Sequence, residues 1–346
     1  MENNPFRVGL THNFLSASGE LAYRDIGLAL LDGPGIEHVF LEPGGSELTP
    51  AQLEGIDAVI VLTPKVTADS LKGVDRLALI ARFGVGYDSV DVDACTAADV
   101  MLTITRGAVD NPVAESILCL MQALAKRVFL KARLTREGRF HEKVHHMGSD
   151  ISDKVVGSIG LGGIASRMFE LLRPYRTARL LAHDPYADRQ RAFELGVELV
   201  DWKTLLRESD FLCVNCPLTD ETEAMVNAEA FAQMKPTAYF INTARGPIMD
   251  EEALYDALES GQIQGAASDV FVEEPPPVEH PLFTLDNFIG TPHGLAWTDE
   301  LFLAIGMMAC ESVLAVSRGE VPEHVVNAEV LDRSGLRTKL DGYGTR

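Results

Sequence analysis

Lys154-Val155-Val156-Gly157-Ser158-Ile159-Gly160-Leu161-Gly162-Gly163-Ile164-Ala165 sets a glycine turn between an apolar strand and a helix. Gly160 supplies the tight turn, Gly162 lets a pyrophosphate approach the backbone, and Ala165 keeps the following helix close to the sheet. The first amides of that helix, at the positive end of its dipole, then face the phosphates. Asp184 stands 184 − 165 = 19 residues further on, where a second strand should end. A carboxylate there accepts both hydroxyls of an adenosine ribose and repels a 2′-phosphate, so the segment reads as a site for NAD rather than NADP. A second glycine run, Gly84-Val85-Gly86-Tyr87-Asp88-Ser89, lacks the small residue at the third position and reads as a decoy.

Working outward from the turn, short apolar strands alternate with amphipathic helical patterns, as in parallel sheets with helical crossovers. Strands near Val155 to Ile159, Leu180 to His183, Phe211 to Cys216, Ala238 to Ile241, Ala266 to Val270 and Phe288 to Gly290 predict a six-stranded doubly wound sheet in the order 3-2-1-4-5-6. A second set, near Val8 to Thr11, His38 to Leu41, Ala58 to Leu62, Leu77 to Ala81 and Met101 to Ile104, predicts a smaller α/β domain with helices at Glu20 to Leu31 and Val92 to Ala98. Between them, Pro112 to about Arg133 is apolar on nearly every face, with Val113, Ile117, Leu120, Leu124, Val128 and Phe129 among its residues. That predicts a buried helix and, since one domain face cannot cover it all, a subunit interface. Thr298-Asp299-Glu300 caps a further helix through about Val316, and the polar tail after Asn327 is expected to be loosely held. The fold class is therefore α/β, with two Rossmann-like or flavodoxin-like domains: residues 1–111 with 298–346 for the substrate, and 112–297 for NAD.

The 346 residues suit two domains of ordinary size. Acidic residues exceed basic ones by 51 − 30 = 21, which repels phosphate backbones and anionic lipid and argues against nucleic acid and membrane as partners. Met1-Glu2-Asn3-Asn4-Pro5 opens without a basic, then apolar leader, and the five cysteines suit a reducing compartment, so a cytoplasmic location is expected. Cys213-Val214-Asn215-Cys216 spells a CxxC, but it lies in a buried strand pattern where residues three apart point to opposite faces. Without a second Cys or His pair it gives no metal site.

Three stretches stand at strand ends of the larger sheet: Asn242-Thr243-Ala244-Arg245-Gly246, Ser268-Asp269-Val270-Phe271-Val272-Glu273-Glu274-Pro275, and Gly290-Thr291-Pro292-His293-Gly294. Ligands of open α/β sheets lie beyond the carboxyl ends of strands, so an Arg, a carboxylate and a His from successive ends can converge. A guanidinium grips a carboxylate in a fixed fork, and an imidazolium beside a carboxylate hands a proton to a carbonyl oxygen as hydride arrives. Taken singly, Arg245 has the duller readings of a helix cap or ion-pair partner, though its place just before Gly246-Pro247 in a strand-end loop favours function, His293 reads as a loop histidine, and Glu273 rivals Glu274.

These stretches, with Phe83-Gly84-Val85-Gly86-Tyr87-Asp88, Val113-Ala114-Glu115, Asn215-Cys216-Pro217-Leu218-Thr219 and the glycine turn, resemble the D-isomer-specific 2-hydroxyacid dehydrogenases over most of the chain. The resemblance implies that Arg245 binds the substrate carboxylate, that His293 is the acid/base and that Glu274, preceding Pro275, is its partner. It implies that Gly160, Gly162, Gly163, Ile164, Asp184, Cys216, Pro217, Thr243, Ala244 and Asp269 line the NAD site, with Asp269 on the nicotinamide carboxamide. The amides of Val85 and Gly86 would meet the substrate carboxylate, and the chain would form a homodimer.

Departures narrow the substrate. Arg106-Gly107 stands where many relatives have Pro-Gly, and Val61-Leu62-Thr63 lacks the arginine of phosphoglycerate-handling relatives. Val85 replaces the lysine of phosphite oxidisers, and Glu274 replaces the glutamine of formate dehydrogenases. The reading is an NAD-dependent reductase of a small 2-oxo acid such as glyoxylate or hydroxypyruvate. A second reading is an NAD-bound binding protein like the C-terminal-binding protein corepressors, which use this fold to hold peptides. Trp297, four residues past His293, either narrows the cleft or packs at a helix entrance.

Overall fold

The computed structural model describes residues 5–344; Met1–Asn4, which carry most of the N-terminal reading, and Thr345 and Arg346 lie outside the described residues. The chain divides into two compact units. One comprises the chain up to Val109 together with Trp297 onward, and the other runs from Asp110 to Ala296.

The first unit is built on five parallel strands, β1 (Phe6–Leu10), β2 (Ile36–Phe40), β3 (Ala58–Val61), β4 (Leu79–Arg82) and β5 (Met101–Thr103), in the order β2-β1-β3-β4-β5. Every residue of β3 is buried, as expected for a central parallel strand covered on both faces. Glu20 to Leu31 does not form the expected helix: only Leu28–Leu31 winds, as a 3₁₀ turn, after Gly27 in the left-handed region at φ 76°. The cause lies in the Asp299–Ser317 helix, where a Cβ on Gly306 would overlap the carbonyl of Ile26, so the segment is pressed against that helix as irregular backbone. Thr298 caps the helix by accepting the Leu301 amide at 3.1 Å. The helix is long and apolar enough to cross a membrane, but here it buries Leu301, Phe302, Ile305, Ala309, Cys310, Val313 and Val316 in this unit.

The tail is a second correction. After Asn327 come a 3₁₀ helix, Ala328–Asp332, and an α-helix, Ser334–Tyr343, with Leu336, Leu340 and Tyr343 buried. The polar residues that suggested looseness are those that tie it down. Lys339 Nζ donates to the carbonyls of Leu77, Ala98 and Asp99 at 2.7, 2.9 and 3.0 Å, and the Tyr343 hydroxyl donates to the Arg76 carbonyl. Asn327 accepts the Leu102 amide and donates to the Val100 carbonyl, both at 2.9 Å.

The second unit holds seven parallel strands: β6 (Val155–Ile159), β7 (Arg179–His183), β8 (Glu198–Leu199), β9 (Phe211–Val214), β10 (Tyr239–Asn242), β11 (Gly265–Ser268) and β12 (Phe288–Gly290). Their order is β12-β11-β10-β9-β6-β7-β8. The expected six strands become seven because β8 is two exposed residues at the sheet edge, too short to leave a periodic signal. With β8 counted third, the doubly wound order 3-2-1-4-5-6 holds and β12 extends it; the six-strand order places the Phe211 strand third, outside that of Leu180, whereas β9 pairs with β6. Apolar layers cover both faces, one around Ile117, Met121, Met168 and Phe169, the other around Leu206, Phe231, Phe240 and Leu254.

The expected single helix from Pro112 to Arg133 is two. Asp110–Lys126 ends at Arg127, which takes a left-handed φ of 52°, and Val128–Arg136 follows. The first piece buries Ile117, Leu118, Leu120, Met121 and Leu124 within its own unit. The large apolar residues left in solvent are Val128 and Phe129, beyond the break.

Candidate active site

The carboxyl ends of β6, β7, β9, β10, β11 and β12 carry every candidate residue of the second unit. At the end of β6, Gly160 takes φ 93°, and a Cβ there would stand 2.7 Å from the Asn215 carbonyl oxygen. Glycine is required on both grounds. Ser158 Oγ donates to the Gly160 carbonyl at 2.7 Å and accepts from Asn215 Nδ2 at 2.9 Å, fixing the turn from beneath. Gly162 precedes the Gly163–Leu172 helix, and a Cβ on it would meet nothing within 4 Å, so a phosphate has open access to the backbone there. A Cβ on Gly163 would overlap the Asp110 carboxylate, a constraint that no local pattern announces. Ile164 is partly buried against the core, and Ala165 is fully buried.

Asp184 follows β7 directly. Its Oδ2 accepts the Leu161 amide at 2.9 Å and its Oδ1 the Tyr186 amide at 2.8 Å. The carboxylate is thus held beside the glycine turn, the place an adenosine ribose requires, and the site fits NAD. Cys216 and Pro217 continue from β9. Burial pushes the Cys216 thiol up to about 11 and that of Cys213 up to about 12, which keeps both protonated and unreactive near neutral pH. Among the described residues no cluster of three or more His, Cys, Asp or Glu is placed to hold a metal.

Thr243, Ala244 and Arg245 leave β10 in a loop organised by the fully buried Asn242. Its Oδ1 accepts the Ala244 amide at 3.0 Å and its Nδ2 donates to the Arg245 carbonyl at 2.9 Å. Arg245 Nη1 donates to the Ala244 carbonyl at 2.6 Å. A Cβ on Gly246 would overlap the backbone of Phe271 and Val272, so the Arg245 loop and the Glu274 loop lie directly against one another.

Glu274 Oε2 stands 2.7 Å from His293 Nδ1, and Glu274 Oε1 accepts the Phe271 amide at 2.9 Å. Burial pushes the Glu274 carboxyl up, but the His293 hydrogen bond, the Phe271 amide and the charges of His293 and Arg245 outweigh it and hold the group below its usual range. Between Glu273 and Glu274, the geometry selects Glu274. His293 itself takes a left-handed φ of 51°, a region that few residues other than glycine adopt and that histidine, asparagine and aspartate enter more often than most.

Asp269, almost buried after β11, turns its carboxylate on the segment around His293. Oδ1 accepts from the Thr291 hydroxyl at 2.6 Å and the Gly294 amide at 3.2 Å, and both oxygens face the Leu295 amide at 3.3 Å. The Thr291 contribution was not legible in sequence, because its partner is 22 residues away. Val85 and Gly86 follow β4 in the first unit, where the Thr105 amide donates to the Gly84 carbonyl at 3.0 Å. Trp297 also belongs to that unit, half exposed and edge-on to Phe302 and Tyr23 with ring centres 5.1 and 6.0 Å away.

Residues 118–294 match the family described as D-isomer specific 2-hydroxyacid dehydrogenase, NAD binding domain. The chain is 34% identical over 305 residues to a glyoxylate reductase of Korarchaeum cryptofilum, covering 85% of this chain and 92% of the relative. It is 37% identical over 294 residues to a D-3-phosphoglycerate dehydrogenase of Methanocaldococcus jannaschii, covering 84% of this chain but 55% of that one. Among solved structures, the TT0316 protein of Thermus thermophilus superposes with a TM-score of 0.81 at 29% identity, covering 92% of this chain and 99% of that one.

Proposed function

This chain belongs to the D-isomer-specific 2-hydroxyacid dehydrogenase family, an oxidoreductase acting on CH-OH groups with the family's NAD-binding domain, and we propose that it reduces a small 2-oxo acid to the D-2-hydroxy acid. Gly160, Gly162 and Asp184 would hold NADH, which would supply the hydride for the carbonyl carbon. Arg245 grips the substrate carboxylate through its planar fork. With Nδ1 engaged by Glu274, Nε2 is the nitrogen of His293 that delivers a proton to the carbonyl oxygen. Glu274, held in its anionic form, engages His293 Nδ1 and fixes the ring orientation. The single observation carrying this reading is the 2.7 Å contact between Glu274 and His293 on a loop packed against that of Arg245.

Glyoxylate and hydroxypyruvate are the favoured substrates, since the Val61-Leu62-Thr63 segment offers no arginine for a phosphate and a relative covered over most of its length is a glyoxylate reductase. Asp184 selects NADH over NADPH, and the five free cysteines and acidic surface suit the cytoplasm. The working form is a homodimer, supported by exposed Val128, Phe129, Phe140, Val144 and Met147, all within residues 128–147. A panel of 2-oxo acids differing in size, charge and phosphorylation, followed through NADH absorbance, tests the substrate. Fast turnover of glyoxylate or hydroxypyruvate is expected; a preference for phosphohydroxypyruvate over both would overturn the assignment.

A further inference from the structure

Behind the loop that carries Glu274 lies a second histidine–glutamate pair. Glu251 opens the Glu251–Glu259 helix, and His280 precedes the 3₁₀ helix Pro281–Thr284. Glu251 Oε2 faces His280 Nε2 at 3.3 Å, while its Oε1 accepts the Val272 amide at 2.9 Å. Both side chains are withdrawn from solvent, at 18% and 12% exposure. The His280 ring is lodged between Phe271 and Phe283, with ring centres 5.7 and 5.2 Å away, and its buried Nδ1 has no hydrogen-bond partner among the described residues.

A carboxylate in the first turn of a helix has an ordinary explanation, the favourable end of the helix dipole. Here the carboxylate is turned instead onto the chain between Asp269 and Glu274. Phe271 and Val272 give consecutive amides to different carboxylates, Phe271 to Glu274 and Val272 to Glu251. The same two residues rest on Gly246, where no Cβ intervenes between them and the Arg245 loop. Segment 271–272 is therefore fixed by Glu251 and the His280 ring at its back and sets the position of Glu274 at its front.

We propose that Glu251 and His280 are positioning residues for the acid–base pair: by anchoring Phe271 and Val272 they bring the Glu274 carboxylate to His293. The proposal rests on the reading of His293 as the proton donor. It predicts that loosening a pair that touches no substrate changes how firmly His293 holds its proton, because the distance from Glu274 to the imidazole governs that charge interaction.

The test uses the full chain, with glyoxylate and NADH as probes, and compares Glu251→Ala, Glu251→Gln, His280→Phe and His293→Ala. Glu251→Ala should lower kcat about tenfold, since small misplacements of a catalytic group are costly. It should also move the alkaline fall of glyoxylate reduction to lower pH, with the KM for NADH unchanged. His280→Phe, which keeps the ring packing and loses the Nε2 contact, should move the limb in the same direction, and it serves if Glu251→Ala does not fold. Glu251→Gln retains an acceptor for the Val272 amide and should restore most of kcat. Lower thermal stability with the alkaline limb unmoved in both Glu251→Ala and His280→Phe would reduce the pair to a structural clamp and overturn the proposal. Full activity in His293→Ala would instead overturn the acid–base reading, so the two failures are distinguishable.

Discussion

Asp269 Oδ1 accepts the hydroxyl of Thr291 at 2.6 Å and the amide of Gly294 at 3.2 Å, so one carboxylate grips the chain on both sides of His293. His293 stands at φ 51°, and Asp269 holds the chain around it from the end of β11. Asp269→Ala should therefore lower kcat by more than about tenfold through a misplaced imidazole. Asp269→Asn, which keeps one oxygen for Thr291 and Gly294, should lose less. Stopped-flow measurement of NADH affinity separates this from a role confined to the nicotinamide: weakened binding with unchanged kcat at saturation would exclude the brace.

The depressed Glu274 carboxyl fixes the sign of the pH dependence. Glu274 stays ionised through the neutral range, and reduction needs a protonated His293, so the rate is present at lower pH and lost as pH rises. Glu274→Gln removes the anion beside the imidazolium, which then gives up its proton at lower pH. The alkaline fall of reduction should move down, and the acid limb of D-2-hydroxy acid oxidation, which needs the unprotonated ring, should move down with it. Profiles of kcat/KM in both directions check this, and an unshifted pair of limbs would remove Glu274 from the role.

Much of this site was legible in sequence because its signals are local. Gly160, Gly162 and Ala165 announce a strand–turn–helix, and Arg245, Glu274 and His293 each stand just past an apolar strand. Less legible was whatever depends on partners distant in the chain. Gly163 is needed because Asp110 lies against it, and Gly246 because Phe271 does, and neither requirement has a sequence period. The polar tail failed for a related reason: Lys339 looks like a solvated lysine until the three carbonyls around it are seen. β8 failed by brevity, and the helix break at Arg127 because no glycine or proline marks it.

Asp184 already accepts the Leu161 and Tyr186 amides, so its orientation is set before any ribose arrives. A 2′-phosphate beside it meets like charge. Wild-type enzyme should favour NADH over NADPH by at least about a hundredfold in kcat/KM, on the order of 3 kcal/mol. Asp184→Ala should narrow that ratio mainly by losing NADH affinity. Equal use of both cofactors by the unaltered protein would contradict the assignment.

The Asp110–Lys126 helix has its apolar face covered within its own unit, so the apolar surface left for a partner chain is the segment beyond Arg127. Phe129 is 60% exposed and Met147 75%, large apolar surfaces for one short stretch. Light scattering at low micromolar concentration should give the mass of two chains. Phe129→Glu with Met147→Glu should shift it toward one, because burying two new charges at an interface is costly. A monomeric mass for the unaltered protein would remove the dimer.

The C-terminal helix makes a prediction about stability alone. Lys339 Nζ donates to three main-chain carbonyls, and burial pulls its ammonium below the usual lysine range. Lys339→Met keeps the aliphatic stem but leaves the Leu77, Ala98 and Asp99 carbonyls without that donor, at a cost of about 1–3 kcal/mol. Truncation after Asn327 removes in addition the buried Leu336, Leu340 and Tyr343 and should cost more. Both changes lie in the first unit, whereas Arg245, Glu274 and His293 belong to the second, so denaturant midpoints should fall while kcat of the folded Lys339→Met enzyme stays within about twofold of the parent. An unchanged midpoint in the Lys339→Met enzyme would show that the tail is the loosely held segment its composition suggests.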